Sequence, residues 1–170
     1  MNHLNLSHRS RLSELLRQAA AALFVVAAAS GCASTTHQRV TAQVTAAVDH
    51  FLTAFNNLDW PAFQECFAQD ATLFNPDIPD APSVHRLSGR PAIEDSFRRV
   101  FEATRKSASG PPYMHIVPQG LVVQGFGKVA VVTFEFSRAA NSFGRRTIVF
   151  EERGGQWLIV HIHASNISRS

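Results

Sequence analysis

Val44, Val48, Phe51, Leu52 and Phe55 recur at helical spacing and predict a first helix of about four turns. Asn56-Asn57-Leu58 breaks that pattern. Asp59 then fits the N-cap of a second, short helix, with Pro61 tolerated in its first turn and Phe63 and Phe67 on its inner side. A catalytic carboxylate is the other reading of Asp59, but its position favours the cap. Asp70 to Phe74 reads as a short strand. Asn75 to Ser83 holds Pro76, Pro79 and Pro82 and reads as a loop, a flap over a cavity. Arg90-Pro91 opens a third helix, whose inner stripe is Ile93, Phe97, Val100, Phe101 and Thr104. Arg98, Arg99, Arg105 and Lys106 form its solvated side and complement the C-terminal end of the helix dipole. Ser107 to Pro112 is a breaker.

From Tyr113 onward the pattern is that of strands. Pro118 marks an edge position or a bulge, and Leu121-Val122-Val123 is an apolar run. Gly125 to Lys128 turns the chain. Val129 to Ser137 is a strand, Ala139 to Gly144 a longer loop, and Arg145 to Glu152 a further strand. Gly154-Gly155 suits a two-residue hairpin turn, and Gln156 to Ser165 is the last strand. Helices first and strands later predict an α+β fold, three helices against one face of a curved antiparallel sheet.

The tight turn also predicts a register. It pairs Arg153 with Gln156, and so puts Phe150 opposite Ile159, Ile148 opposite His161 and Arg146 opposite His163. Pairing Arg138 with Arg145 then places Glu135 opposite Ile148 and Ser137 opposite Arg146. One face of the sheet would carry Thr133, Glu135, Ser137, Arg146, Ile148, Phe150, Trp157, Ile159, His161 and His163. The other would carry Val132, Phe134, Phe136, Val149, Leu158, Val160 and Ile162.

The composition is that of a globular protein with one excess, thirteen Phe in 170 residues. The formal charge is +3. Arg9, Arg11 and Arg17 against Glu14 carry most of it, so the remainder is nearly neutral and no basic stripe points to nucleic acid. Those arginines precede an apolar run from Ala19 to Ala29, too short to span a bilayer of roughly 30 Å as a helix. Ala29-Ser30-Gly31-Cys32 follows and resembles the lipobox of bacterial lipoproteins. The resemblance implies a signal at residues 1–31, acylation of Cys32, a tether over 32–39 and a domain over 40–168. Ala33 after the cysteine implies, by the same likeness, the outer membrane, with the domain facing the periplasm. An ordinary cleaved signal and an uncleaved anchor are the alternatives. The other cysteine, Cys66, falls in an apolar helical pattern and reads as a buried inert thiol.

The first sheet face is mixed, apolar at one end and titratable at the other, as small-molecule pockets are. Glu135, His161 and His163 are the candidate acid–base groups there, a histidine being the natural proton carrier near neutral pH. Arg146 is the candidate anchor for an anionic or carbonyl oxygen. Trp157, Phe150 and Ile159 form the apolar wall, with Phe74 and Tyr113 as additions. The alternative is a structural network in which Glu135 pairs with Arg146 and the histidines are satisfied by backbone or carboxylates. A metal held by His161, His163 and Glu135 is a further, disfavoured reading, since nothing else in the chain has ligand spacing, and no cofactor is expected. The second face, apolar and uncovered by helices, predicts a homodimer or larger assembly through the convex side of the sheet.

The element order, with WPAFQECFAQDATLFNP, LSGRPAIEDSF and GGQWLIVHIHAS, resembles the nuclear transport factor 2-like superfamily. Within it the chain is most similar to SnoaL-like domains and to the association domain of calcium/calmodulin-dependent kinase II. The likeness spans about residues 40–168, and Trp157, His161, His163 and Ser165 carry its most specific part. It implies a cone whose concave sheet face and helices enclose a pocket. It also implies two classes of function: acid–base chemistry on a small apolar compound, as in the isomerases, cyclases and dehydratases of the superfamily, or non-catalytic binding and assembly.

Overall fold

The computed structural model describes residues 35–75, 86–139 and 142–168. The signal expected over residues 1–31, Cys32 and the Asn75–Ser83 loop beyond Asn75 lie outside the described residues. The chain divides into two units, residues 1–39 and 40–170. Of the first, residues 35–39 are described and are helical. The second carries the fold.

Helix α1 occupies residues 40–57 of this unit and buries Val44, Val48, Phe51, Leu52 and Ala54. It ends at Leu58, which takes a left-handed φ of 51° with its side chain 1% exposed. That strained backbone is held by burial and by Arg105, whose Nη2 donates to the Leu58 carbonyl at 2.9 Å. Asp59 caps α2 (Trp60–Glu65), its Oδ1 accepting from the Ala62 N–H at 3.2 Å, with Pro61 in the first turn. β1 (Phe67–Phe74), β2 (Leu87–Ser88) and α3 (Arg90–Ser107) follow. Then come β3 (Gln119–Phe126), β4 (Val129–Ala139), β5 (Ser142–Arg153) and β6 (Gln156–Ser168).

The sheet order is β2-β1-β6-β5-β4-β3. It is antiparallel except where β1 joins β6 in parallel, a pairing the sequence pattern did not contain. The phenylalanine excess is spent at one place. The fully buried Phe63 lies between Phe67, Phe97 and Phe101 at 5.0, 4.9 and 5.1 Å, with Phe51 and Phe55 both at 5.8 Å. Tilted and edge-on rings from α1, α2, β1 and α3 thus lock the helices over one sheet face.

Two features overturn the expected register. The β5–β6 pairing runs as predicted from Arg153–Gln156 to Phe150–Ile159. Then Val149 pairs with His161, so Val160 is the extra residue of a bulge. Beyond it Ile148 faces Ile162 and Arg146 faces Ala164. The bulge inverts parity, turning His161 and His163 to the outer face and Ile162 and Ala164 inward. In β4–β5, the predicted loop over Ala139 to Gly144 is largely strand. Glu135 pairs with Arg145, and Phe134 with Arg146. That is an odd offset from the expected register, so β4 also shows its other face. Val132, Phe134, Phe136 and Ile162, expected on an uncovered convex patch, are buried in the core. Tyr113 to Pro118 precede the first long strand instead of forming it, and β3 is an edge strand.

Candidate functional site

The corrected register arranges the concave face in rows. The deepest relevant row is Val132, Ile148, Ile162 and Leu73, all buried and apolar. The next holds Phe134, Arg146 and Ala164, and the next Phe136, Gly144 and Asn166. Arg138 lies beyond Phe136 on β4. Polarity therefore rises along the strands from an apolar floor to a cationic rim.

A cavity of about 260 Å³ stands over these rows. Phe51, Leu52 and Phe55 of α1 and Phe97 and Val100 of α3 close it from above, with Met114 and Ile116 on one flank. Asn56, which the sequence pattern showed only as a helix breaker, builds that flank. Its Nδ2 donates to the Ile116 carbonyl at 3.1 Å, and its Oδ1 accepts from the Ile116 N–H at 2.9 Å. Its own carbonyl accepts from the Tyr113 and Met114 N–H groups. One side chain thus pins an irregular segment against the end of α1.

Arg146 is the central polar group of the cavity. Its Nη1 donates to the carbonyls of Arg145 at 2.7 Å and Ser165 at 3.2 Å, and its guanidinium lies 4.8 Å from the Phe136 ring centroid. Burial, and then the charge of Arg138, push its pKa down to about 10. It stays cationic at neutral pH. No carboxylate among the described residues forms a salt bridge with Arg146 or Arg138. Arg138 Nη1 lies 3.1 Å from the Asn166 amide oxygen in the orientation that satisfies that amide. Asn75 and Ser96, joined at 3.1 Å, complete the polar lining. Gly144 makes the arrangement possible: a Cβ there would stand 2.3 Å from the Phe136 ring.

Of the residues singled out in the sequence, Arg146 lines this cavity. Glu135 does not pair with it; its carboxylate accepts from Arg145 Nε at 2.8 Å on the outer face. His161 and His163 are on that face too, each near 5.7 Å or less from the Phe74 ring, and His161 Nδ1 lies 2.7 Å from Thr72 Oγ1. Burial, then His163, holds the His161 imidazole below its usual pKa. Phe150 and Trp157 border a separate open groove with His50 and Arg153, and Ile159 is core. Tyr113 packs under Arg105, 5.8 Å from ring to guanidinium carbon. Among the described residues no three metal-ligating side chains converge, and no helix is long and apolar enough to cross a membrane. Cys66 is buried, and its thiol is pushed up to about 12 by burial and then by Glu65.

The sequence matched few of the cavity residues because the lining comes from six separate elements, α1, β1, α3, β4, β5 and β6, and from the irregular segment at Met114 and Ile116. The inward alternation Val132-Phe134-Phe136 was a usable signal. The expected Arg138–Arg145 pairing turns it to the wrong side, because the actual pairing of Glu135 with Arg145 differs by an odd number of residues.

Comparisons with known proteins agree with this architecture. A proposed dehydratase of the nuclear transport factor 2-like family from Streptomyces avermitilis superposes with a TM-score of 0.63 at 19% identity, over 78% of this chain and 99% of its own. A nuclear transport factor 2-like protein of unknown function from Pseudomonas putida gives 0.61 at 19% identity, over 75% and 87%. The beta subunit of the benzoate 1,2-dioxygenase from Burkholderia mallei gives 0.56 at 20% identity, over 74% and 89%. These likenesses establish the fold. No curated protein sequence matches. The family profile described as SnoaL-like domain matches residues 44–169, and the chain belongs to that family, within the nuclear transport factor 2-like superfamily.

Proposed function

We propose that this SnoaL-like domain binds a small, partly apolar molecule in the cavity between the concave sheet face and helices α1 and α3. The cavity itself carries the proposal: a semi-enclosed space just below the usual range for ligand sites, with mostly apolar walls and a few convergent polar groups. Its titratable lining among the described residues is Arg138 and Arg146. Guanidiniums anchor and stabilise negative charge, so binding is the role that the lining supports. Ala164→Leu would fill the space, since Ala164 lies in the lining beside Arg146. Saturation-transfer NMR with a panel of small aromatic and aliphatic compounds tests the reading. Signals present in the wild type and absent in Ala164→Leu are expected. Equal signals in both would refute it.

Export and acylation at Cys32 form part of the proposal. The basic, apolar and small-residue order of residues 1–32 supports them and an envelope location; Ala33 after the cysteine, by likeness to bacterial lipoproteins, favours the outer membrane, with the domain facing the periplasm. Labelled palmitate should enter the wild type and not Cys32→Ala; failure to label the wild type would end this reading. Self-association through the outer sheet face is the second reading. Val122, Phe126 and Val129 favour it, 51%, 65% and 37% exposed on or next to the edge strand. A sedimenting monomer at micromolar concentration would exclude it.

A further inference from the structure

The polar end of the cavity has an unusual charge balance. Arg146 and Arg138 lie close enough for one to depress the other's proton affinity, and Arg146 is also desolvated. Arg138 is exposed at the rim, so the cost falls on Arg146, whose desolvated charge beside a second cation is unfavourable unless a counter-charge joins it. Among the described residues no carboxylate supplies it: Glu135 is committed to Arg145 on the opposite face, and no other described acid forms an ion pair with either arginine. Arg146 spends Nη1 on two carbonyls, which leaves Nε and Nη2 of a planar fork. The walls away from this end are hydrocarbon: Leu73, Ile148 and Ile162 below, Phe55 and Phe97 above.

We infer that the ligand is an amphipathic monocarboxylate, its carboxylate held by Arg146 and Arg138 and its apolar body lying against Ile148, Ile162 and Phe97. This rests on the cavity being the ligand site. A carboxylate suits the fork because its two oxygens match two parallel N–H donors. The volume suits a short acid, since 260 Å³ corresponds to the liquid space of about nine waters. A polyanion such as a phosphoester demands more donors and more water than a wall of Phe134 and Phe136 provides. Bound carboxylate relieves the repulsion between the two arginines, so the ligand completes the charge arrangement as well as filling space.

Calorimetric titration of the full chain decides it. The probes are phenylacetate and hexanoate, each beside its neutral isostere, phenylacetamide or hexanamide. The acids are expected to bind at least tenfold more tightly than the amides. Arg146→Met, which keeps stem volume and removes the charge, should weaken the acids at least tenfold and leave the amides within twofold. Arg146→Lys keeps a charge without the fork and should fall between; it carries the test if the methionine variant does not fold. Arg99→Gln, an exposed α3 arginine outside the lining, should change neither class. Acids and amides binding alike, in wild type and variant, would overturn the carboxylate inference and leave the cavity as a neutral-ligand site. Binding of no probe would remove the inference and the cavity reading together.

Discussion

Replacing Gly144 by alanine places a methyl group 2.3 Å from Cε1 and Cζ of Phe136 and 3.0 Å from Cε2. Carbon pairs sit best at roughly 3.5–4.0 Å, so the ring must move by more than about 1 Å. It has little room: Phe136 is 5% exposed, Phe134 packs at 6.4 Å, and Arg146 covers its face. Overpacking of this kind costs about 1–3 kcal/mol. Against it stands the reduced freedom of the unfolded chain when glycine becomes alanine, which gains about 0.4–1 kcal/mol. The packing term wins, and a net loss of about 1–2 kcal/mol is expected. Urea unfolding followed by circular dichroism measures it, and Phe136→Leu supplies the control. The smaller side chain vacates the space that the methyl needs, so the double variant should be more stable than the sum of the singles, by about 0.5–2 kcal/mol. A neutral or stabilising Gly144→Ala, strictly additive with Phe136→Leu, would refute the β4–β5 register and with it the rows that form the cavity.

His161 predicts a pH dependence. Its folded pKa is depressed, so the neutral ring is the stable form: the contribution is present above the unfolded pKa of about 6.5 and is lost as pH falls through the folded value. Melting temperature should therefore drop between pH 7.5 and pH 5 by more in the wild type than in His161→Gln; equal drops would remove the assignment. Cys66 should resist alkylation at pH 8 in a folded Cys32→Ser chain, since its Sγ donates to the Ala62 carbonyl at 3.2 Å and its thiol is pushed up to about 12. It should react fully in urea, and rapid native labelling would show that it is accessible.

The sequence pattern carried the helices well because their signals are local, except that Phe67, expected on the inner side of the second helix, opens β1 after α2 ends at Glu65. Asp59 before Trp60-Pro61 is a cap wherever it occurs, and the Val44-to-Phe55 spacing has one helical solution. It carried the turn at Gly154-Gly155 and the first four residues of β6 for the same reason. What it lacked was parity past Ile159. Trp157, Leu158, Ile159 and Val160 are all apolar, so an extra residue leaves no break in the pattern, and one extra residue exchanges every later side chain between faces. The connection between β4 and β5 hid a second parity. Gly144 resembled loop punctuation, whereas it is a strand residue whose missing side chain admits the ring of Phe136. Arg146 kept its place because β5 is correctly anchored by the glycine turn. Glu135 and the two histidines lost theirs because each lay beyond an irregularity. The structure therefore gathers fewer titratable groups in the pocket than the alternation implied, and its sheet phenylalanines are Phe134 and Phe136 instead of Phe150.

The most direct test of the cavity as the ligand site is diffraction from crystals of the protein soaked in 4-bromophenylacetate, recorded at the bromine absorption edge. An anomalous peak between Phe97 and Ile162, with the carboxylate turned toward Arg146, is the expected result. Bromine confined to the outer face beside His161 and His163, or ordered nowhere at saturating ligand, would contradict the account.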